Sequence, residues 1–259
     1  MNFKIVKEDK NRVIFTIDKI NPATANALRR FAMNYAPTLA IEEVNFQKNS
    51  SALYDEMIAH RLGLIPIKTD LKSYNLSSEC KCKGKGCQNC QLILSLKAKG
   101  PCIVYSAELK SEDKKAIPVI GKLPIVKLLK DQELKIECTA ILGQGKDHMK
   151  FSPCHFWYRG YPELKVTRDS DVKKALSQIP SSVLVQKGQG LEIKDITKWN
   201  EAIEQVLENN GIEVTSSQEN FIFYIESWGQ LEPKEILVRA INTFDDKLDE
   251  FEKLVKKIK

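Results

Sequence analysis

Apolar residues at the start of the chain recur at every second position, with Phe3 and Ile5, then Val13, Phe15 and Ile17, on either side of the polar run Glu8-Asp9-Lys10-Asn11. Period two marks strands, so the spacing predicts a hairpin with one face buried. Asn21-Pro22 supplies a helix cap and a first-turn proline, and Ala25, Leu28, Phe31, Ala32 and Tyr35 follow at helical spacing until Pro37 stops the helix. Leu39 to Phe46 reads as a strand, Tyr54 to Leu62 as a short helix closing at Gly63, and Ile65-Pro66-Ile67 as extended chain. Strands broken by Gly and Pro are predicted over Leu92 to Val104, Ala116 to Val126 and Leu134 to Leu142, and another from Phe156 to Tyr158.

The last third changes character. Val172 to Leu176 and Trp199 to Asn209 read as helices separated by a Gly188-Gln189-Gly190 turn, a small inserted lobe within Val166 to Gly211. Phe221 to Ile225 is apolar on both faces, which fits a strand covered on both sides. Pro233 opens a long helix in which Leu237, Ile241, Phe244, Leu248, Phe251, Val255 and Ile258 alternate by four and three. Such a stripe must be buried, either on the chain's own sheet or against a partner helix. Its run to the chain end, with Lys253, Lys256, Lys257 and Lys259 at the negative end of the helix dipole, favours the partner.

Four of the seven cysteines fall in one loop as Cys80-x-Cys82-x4-Cys87-x2-Cys90, with Gly84 and Gly86 for turns and Lys81, Lys83 and Lys85 interleaved. Four thiolates suit tetrahedral zinc, and adjacent lysines offset the charge of a tetrathiolate. With all four positions filled the ion is structural, because none remains for water. Free or disulfide-paired thiols and an iron–sulfur cluster are the alternatives.

Composition narrows the class. The chain of 259 residues is 42% hydrophobic and 29% charged, values of a folded globular protein of one large or two modest domains. Its longest apolar runs fall far short of a bilayer span, and the alternating N-terminus is unlike a secretory signal, so a cytoplasmic location is expected. Forty basic against 34 acidic residues give +6, a mild excess with both signs mixed along the chain.

Catalytic chemistry finds little support. Gly143-Gln144-Gly145-Lys146-Asp147 lacks the spacing of a phosphate-binding loop. Cys154 and His155 are sequence neighbours, whose side chains would point to opposite faces in a strand, and His60, beside Glu56 and Arg61, reads as packed or surface histidine.

The run Ala25-Asn26-Ala27-Leu28-Arg29-Arg30, then Pro37-Thr38-Leu39-Ala40-Ile41-Glu42, then Asp55 through Ile67 closely resembles the α-like subunits of cellular RNA polymerases. Gly143-x-Gly145-Lys146-Asp147-His148-x-Lys150 with Pro153, and Glu226-Ser227-x-Gly229-Gln230, resemble the family's later segments. Length and order look most like the archaeal D-type members, counterparts of the third-largest subunit of eukaryotic RNA polymerase II.

The resemblance implies an α+β fold: a discontinuous dimerisation domain (1–38 and 150–259) with an inserted β-rich domain (39–149) that carries the cysteine loop. It further implies a small ferredoxin-like lobe at 161–220. In some archaeal members that lobe holds an iron–sulfur cluster, but here it contains no cysteine, so no cluster is expected there. The Cys80–Cys90 loop resembles the zinc loop of the eukaryotic counterpart, for one structural zinc.

The implied role is assembly without catalysis, in transcription. A small α-like subunit, the archaeal subunit L, would pair through Leu28, Phe31 and Tyr35 and the Leu237 to Ile258 stripe. The second-largest catalytic subunit and small zinc-bearing subunits would dock on that pair, with Arg29, Arg30, Lys146 and His148 expected at the large-subunit contact. Nucleic acid is then met only through the complex, and no membrane contact is expected. The rival readings are a zinc-stabilised nucleic-acid-binding module and a hydrolase using Cys154.

Overall fold

The structure is a computed structural model and describes residues 1–83, 85–167, 171–188 and 190–258. Gly84, Gln189 and Lys259, named above for turns and the helix end, lie outside the described residues. In chain order the elements are β1 (Asn2–Glu8), β2 (Arg12–Asp18), α1 (Pro22–Asn34), β3 (Thr38–Asn49), α2 (Asp55–Gly63), β4 (Gln91–Lys99), β5 (Cys102–Tyr105), β6 (Lys110–Ser111), β7 (Pro124–Leu128), β8 (Glu133–Gly143), β9 (Cys154–Val166), α3 (Val172–Gln178), β10 (Leu184–Lys187), β11 (Gly190–Ile193), α4 (Glu201–Asn209), β12 (Ile212–Ser227) and α5 (Pro233–Lys256). Helices and antiparallel ladders are mixed in an α+β arrangement. The chain forms two compact units, 1–29 with 156–225 and 30–155 with 226–259.

The first unit is built on a sheet of order β1-β2-β12-β9. Phe15 stacks on Phe223 at 5.0 Å and meets Phe156 edge-on at 6.3 Å, so aromatic area fills one side of the sheet. On the other side, Ile14 and Ile222 share a cluster with Ala175, Ile179, Leu184 and Leu207, so the helices and hairpin of the 161–220 region pack on this sheet. The hairpin expectation of one buried face needs correction. Val13 to Ile17 of β2 are buried on both faces, because β2 is an interior strand, while Phe3 and Ile5 of edge strand β1 stay partly exposed. Side-chain caps start both small helices, with Asp171 accepting from the Lys174 N–H (2.9 Å) and Asn200 from the Ile203 N–H (3.1 Å).

The second unit holds a sheet of order β3-β8-β4-β6 and the pair β5-β7. Alternate residues of β4 and β8, such as Leu94 opposite Cys138 and Leu96 opposite Ile136, point into one core with Ile58 and Leu62 of α2. The strand predicted from Ala116 to Val126 is shorter than expected. Only Pro124–Leu128 pairs with a neighbour, since Pro118 and Gly121 interrupt the ladder and leave a single bridge, Ile67 to Pro118. Pro233, Ile236 and Ala240 of α5 are buried, whereas described residues from Asp245 to Ile258 are exposed on every side.

Candidate metal centre and assembly surface

The cysteine loop is built almost without apolar side chains. It leaves the chain after Tyr74, which is buried and donates its hydroxyl to Asp113 at 2.9 Å. It is tied across its base by the Asn75 N–H to the Asn89 carbonyl (2.7 Å) and returns at Cys90, next to the first residue of β4. Turns bring the thiols inward: Lys83 N–H donates to the Cys80 carbonyl (2.9 Å), Cys90 N–H to the Cys87 carbonyl (2.9 Å), and Gly86 has φ of +85°, a conformation that favours glycine.

All four sulfurs lie within 4.8 Å of one another. Cys80 and Cys82 are 3.5 Å apart, Cys80 and Cys87 3.5 Å, Cys82 and Cys90 3.5 Å, and Cys87 and Cys90 3.7 Å. A tetrahedron with metal–sulfur bonds near 2.3 Å has edges of ~3.8 Å, so the thiols fit a single ion. All seven cysteines are free thiols in this structure. Burial pushes the Cys90 thiol up to about 12. A cation at the centre supplies the charge that burial withholds from a thiolate.

The second constellation lies at the end of α1. Phe31 stacks on Tyr35 at 4.7 Å and meets Phe244 of α5 at 4.8 Å. The loop after β8 closes the helix end, with Gln144 Nε2 donating to the Tyr35 carbonyl (3.0 Å) and Lys146 N–H to the Asn34 carbonyl (3.0 Å). Lys146 Nζ sits 5.5 Å from the centre of the Tyr35 ring. Gln144 was not foreseen in this role; the Gly-x-Gly spacing that failed as a phosphate loop was the available signal.

The α5 stripe is largely uncovered. Ile241 is 44% exposed, Leu248 51%, Phe251 65%, Val255 43% and Ile258 84%, while Leu28, Leu237 and Phe244 are half-buried. The helix instead buries Ile236 and Ala240, one position before Leu237 and Ile241 and therefore on a rotated face. Leu254 adds to the exposed apolar surface and was missed because it breaks the four-three pattern.

Arg29 does not simply project into solvent. It is half-buried, and its guanidinium donates to Asn26 Oδ1 at 2.9 and 3.2 Å, while Arg30 is exposed. His148 is exposed, and its Nδ1 accepts from the Lys150 N–H at 3.1 Å, opening a short 3-10 turn at Met149–Phe151. The Cys154 thiol is buried and pushed up to about 12 by that burial, whereas His155 is exposed, so the two do not form a nucleophile–base pair.

A β-rich unit bearing a tetrathiol loop, in a chain whose last helix carries an uncovered apolar stripe, has the organisation of an α-like RNA polymerase subunit. Residues 41–153 match the RNA polymerase Rpb3/RpoA insert domain. Over nearly full length the chain is similar to the DNA-directed RNA polymerase subunit Rpo3 of three archaea. It is 35% identical to that of Methanosphaera stadtmanae (96% of each chain), 34% to that of Archaeoglobus fulgidus (98% of each) and 36% to that of Thermoplasma volcanium (95% of this chain, 96% of the relative). The chain belongs to the Rpo3 family of DNA-directed RNA polymerase subunits. Among the described residues no helix is long and apolar enough to cross a membrane.

Proposed function

We propose that this chain is the larger α-like, non-catalytic assembly subunit of a DNA-directed RNA polymerase, equivalent to the archaeal subunit called D and acting in the cytoplasm. It pairs with a small α-like subunit, the archaeal L type, through Leu28, Phe31, Tyr35 and the α5 stripe. The observation that carries this reading is the exposure of Leu248, Phe251, Val255 and Ile258 on a helix whose buried face ends near Ala240. Covering a Leu, Val, Ile or Phe side chain is worth about 1.5–3 kcal/mol in full, so a partner helix along this stripe gains several kcal/mol in all.

Segments 1–38 and 150–259 supply the dimerising part and 39–149 the insert. Arg30, Lys146 and His148, all exposed, face the second-largest catalytic subunit, and Arg29 braces α1 through its hydrogen bonds to Asn26. Small zinc-bearing subunits complete the platform. Cys80, Cys82, Cys87 and Cys90 hold one zinc, whose role when bound is to order the loop. Thiols this close enclose one ion rather than a multi-iron cluster, and the 161–220 region offers no cysteine ligand for a cluster.

Co-expression with a small α-like subunit, read by size-exclusion chromatography and native mass spectrometry, tests the assignment. A 1:1 complex is expected, lost on Leu248→Asp with Phe251→Asp. A chain that stays a monodisperse monomer beside that subunit would overturn it.

A further inference from the structure

The open face of the sheet in the second unit collects lysines that are scattered in the sequence. Pairing places Lys48 of β3 opposite Lys135 of β8, and Lys135 opposite Lys97 of β4, so three lysines form one row across three strands. Neighbouring strands lie ~4.8 Å apart, which makes the row about 10 Å long. Lys99 and Lys110 flank it, paired with Glu133 and Ser95. All five are exposed, and the intervening residues of β4 and β8 point into the core, so the whole row faces one way.

Glu133 accepts from Lys48 at 2.8 Å, and that hydrogen bond, with the nearby charges of Lys48, Lys97 and Lys99, holds its carboxyl below the usual range. With Glu137, and with Glu43 of β3 opposite Thr139, five cations stand against three anions on this face. Like charges directly opposite each other destabilise a sheet. Glu133 offsets part of this repulsion through Lys48, and an external polyanion would offset the remainder.

We propose that the open face of this sheet docks the phosphate backbone of double-stranded DNA, gripped by Lys48, Lys97 and Lys135. Among the described residues of this face on β4 and β8 the remaining side chains are Gln91, Ile93, Ser95, Glu137, Thr139 and Ile141. No aromatic ring stands there on which an unpaired base could stack, so single strands find no platform. A duplex presents a phosphate charge every ~1.7 Å of axis, a density that a short lysine row can engage without reading sequence. The choice of DNA among polyanions rests on the polymerase reading above.

Fluorescence anisotropy of a labelled 30-base-pair duplex with the full chain, from about 50 to 300 mM KCl, tests this. The triple variant Lys48→Ala, Lys97→Ala, Lys135→Ala is expected to flatten the plot of log affinity against log salt by about 3 units and to weaken binding tenfold or more at low salt. A control with Lys173→Ala, Lys174→Ala and Lys194→Ala, exposed in the other unit, should keep the wild-type slope. The row variant should unfold at or above the wild-type temperature, which shows the fold intact. A wild-type chain that binds no duplex, an equal loss in the control, or binding of polyglutamate in place of DNA would overturn the proposal. Co-purification with the small α-like subunit is read separately, so failure of the DNA surface and failure of the assembly role are distinguished.

Discussion

The ring of Phe31, near the end of α1, lies 4.8 Å from that of Phe244 on α5, inclined at 55°. This contact marks where α5 passes from packed to uncovered: Ile236 and Ala240 before it are buried, and Leu248 and Phe251 after it are exposed. The two phenylalanines of α5 should therefore respond differently to substitution. Phe244→Ala should destabilise the isolated chain by about 2 kcal/mol, below the range for a fully buried ring because Phe244 is half-buried. Phe251→Asp should leave the unfolding temperature within a degree or two and abolish the 1:1 complex with a small α-like subunit. Thermal scans beside size-exclusion chromatography separate the two effects.

Metal removal should act locally. From Ser77 to Gln91 the chain contains no aliphatic or aromatic side chain, so ordering those residues has little apolar burial to offset its entropy. Elemental analysis should find close to one zinc per chain. Cys87→Ser with Cys90→Ser should lose the ion and expose the loop to trypsin at Lys83 and Lys85, with pairing to the small subunit retained. Abolished pairing, or a metal-free loop as resistant as the wild type, would show that the cysteines serve another purpose.

What the sequence disclosed follows from which forces are local. Asn21 caps α1, its Oδ1 accepting from the Thr24 N–H at 2.7 Å, and Pro233 opens α5; both are short-range signals and were legible. The cysteine spacing was equally direct. The position of β2 inside its sheet was not, because only pairing with β12, some two hundred residues away, covers its second face. The side of α5 that packs within the chain was not legible, since the four-three stripe and the Ile236–Ala240 pair are both periodic and tertiary contact alone selects between them. The lysine row was invisible for a related reason: Lys48, Lys97 and Lys135 meet only through strand register.

Gly145 should be intolerant of a side chain. A β-carbon there would collide with the Met33 carbonyl oxygen and press on the Asn34 backbone, at the point where Lys146 N–H caps α1. Gly145→Ala should cost about 1–3 kcal/mol, as overpacking typically does, and should also weaken small-subunit pairing because it shifts Phe31 and Tyr35. Denaturant unfolding and co-purification measure the two losses; a variant as stable as the wild type would show that the loop moves aside freely.

Lys150 should be a structural rather than a recognition residue. Its ammonium donates to the Ile41 carbonyl at 2.9 Å, pairs with Glu42 at 2.5 Å and lies 5.1 Å from the centre of the Phe151 ring, with only 14% of the side chain exposed. Lys150→Met keeps much of the stem but strands the Ile41 carbonyl and removes the pairing to the solvent-accessible Glu42 carboxylate, at a cost of about 1–3 kcal/mol. Lys146→Met, at an exposed position, should change stability by less than about 0.5 kcal/mol. Equilibrium unfolding of the two variants compares them directly, and equal effects would refute the distinction.

The buried thiols predict an alkaline limit to stability. Burial pushes Cys154 up to about 12 from an ordinary value of 9.0, and burial with the Glu137 charge does the same for Cys138. A raised folded value means that the folded chain holds these protons after the unfolded chain has released them. The contribution to stability is full below about pH 9 and is lost as pH rises towards 12. Unfolding free energy should therefore turn downward above pH 9, with a shallower slope in a Cys138→Ala, Cys154→Ala variant despite its lower stability at neutral pH. At pH 8 the native chain should protect both thiols from iodoacetamide while the less buried Cys102 reacts first. Rapid native alkylation of Cys154 would mean that its strand opens readily, and would return that thiol to consideration as a reactive group.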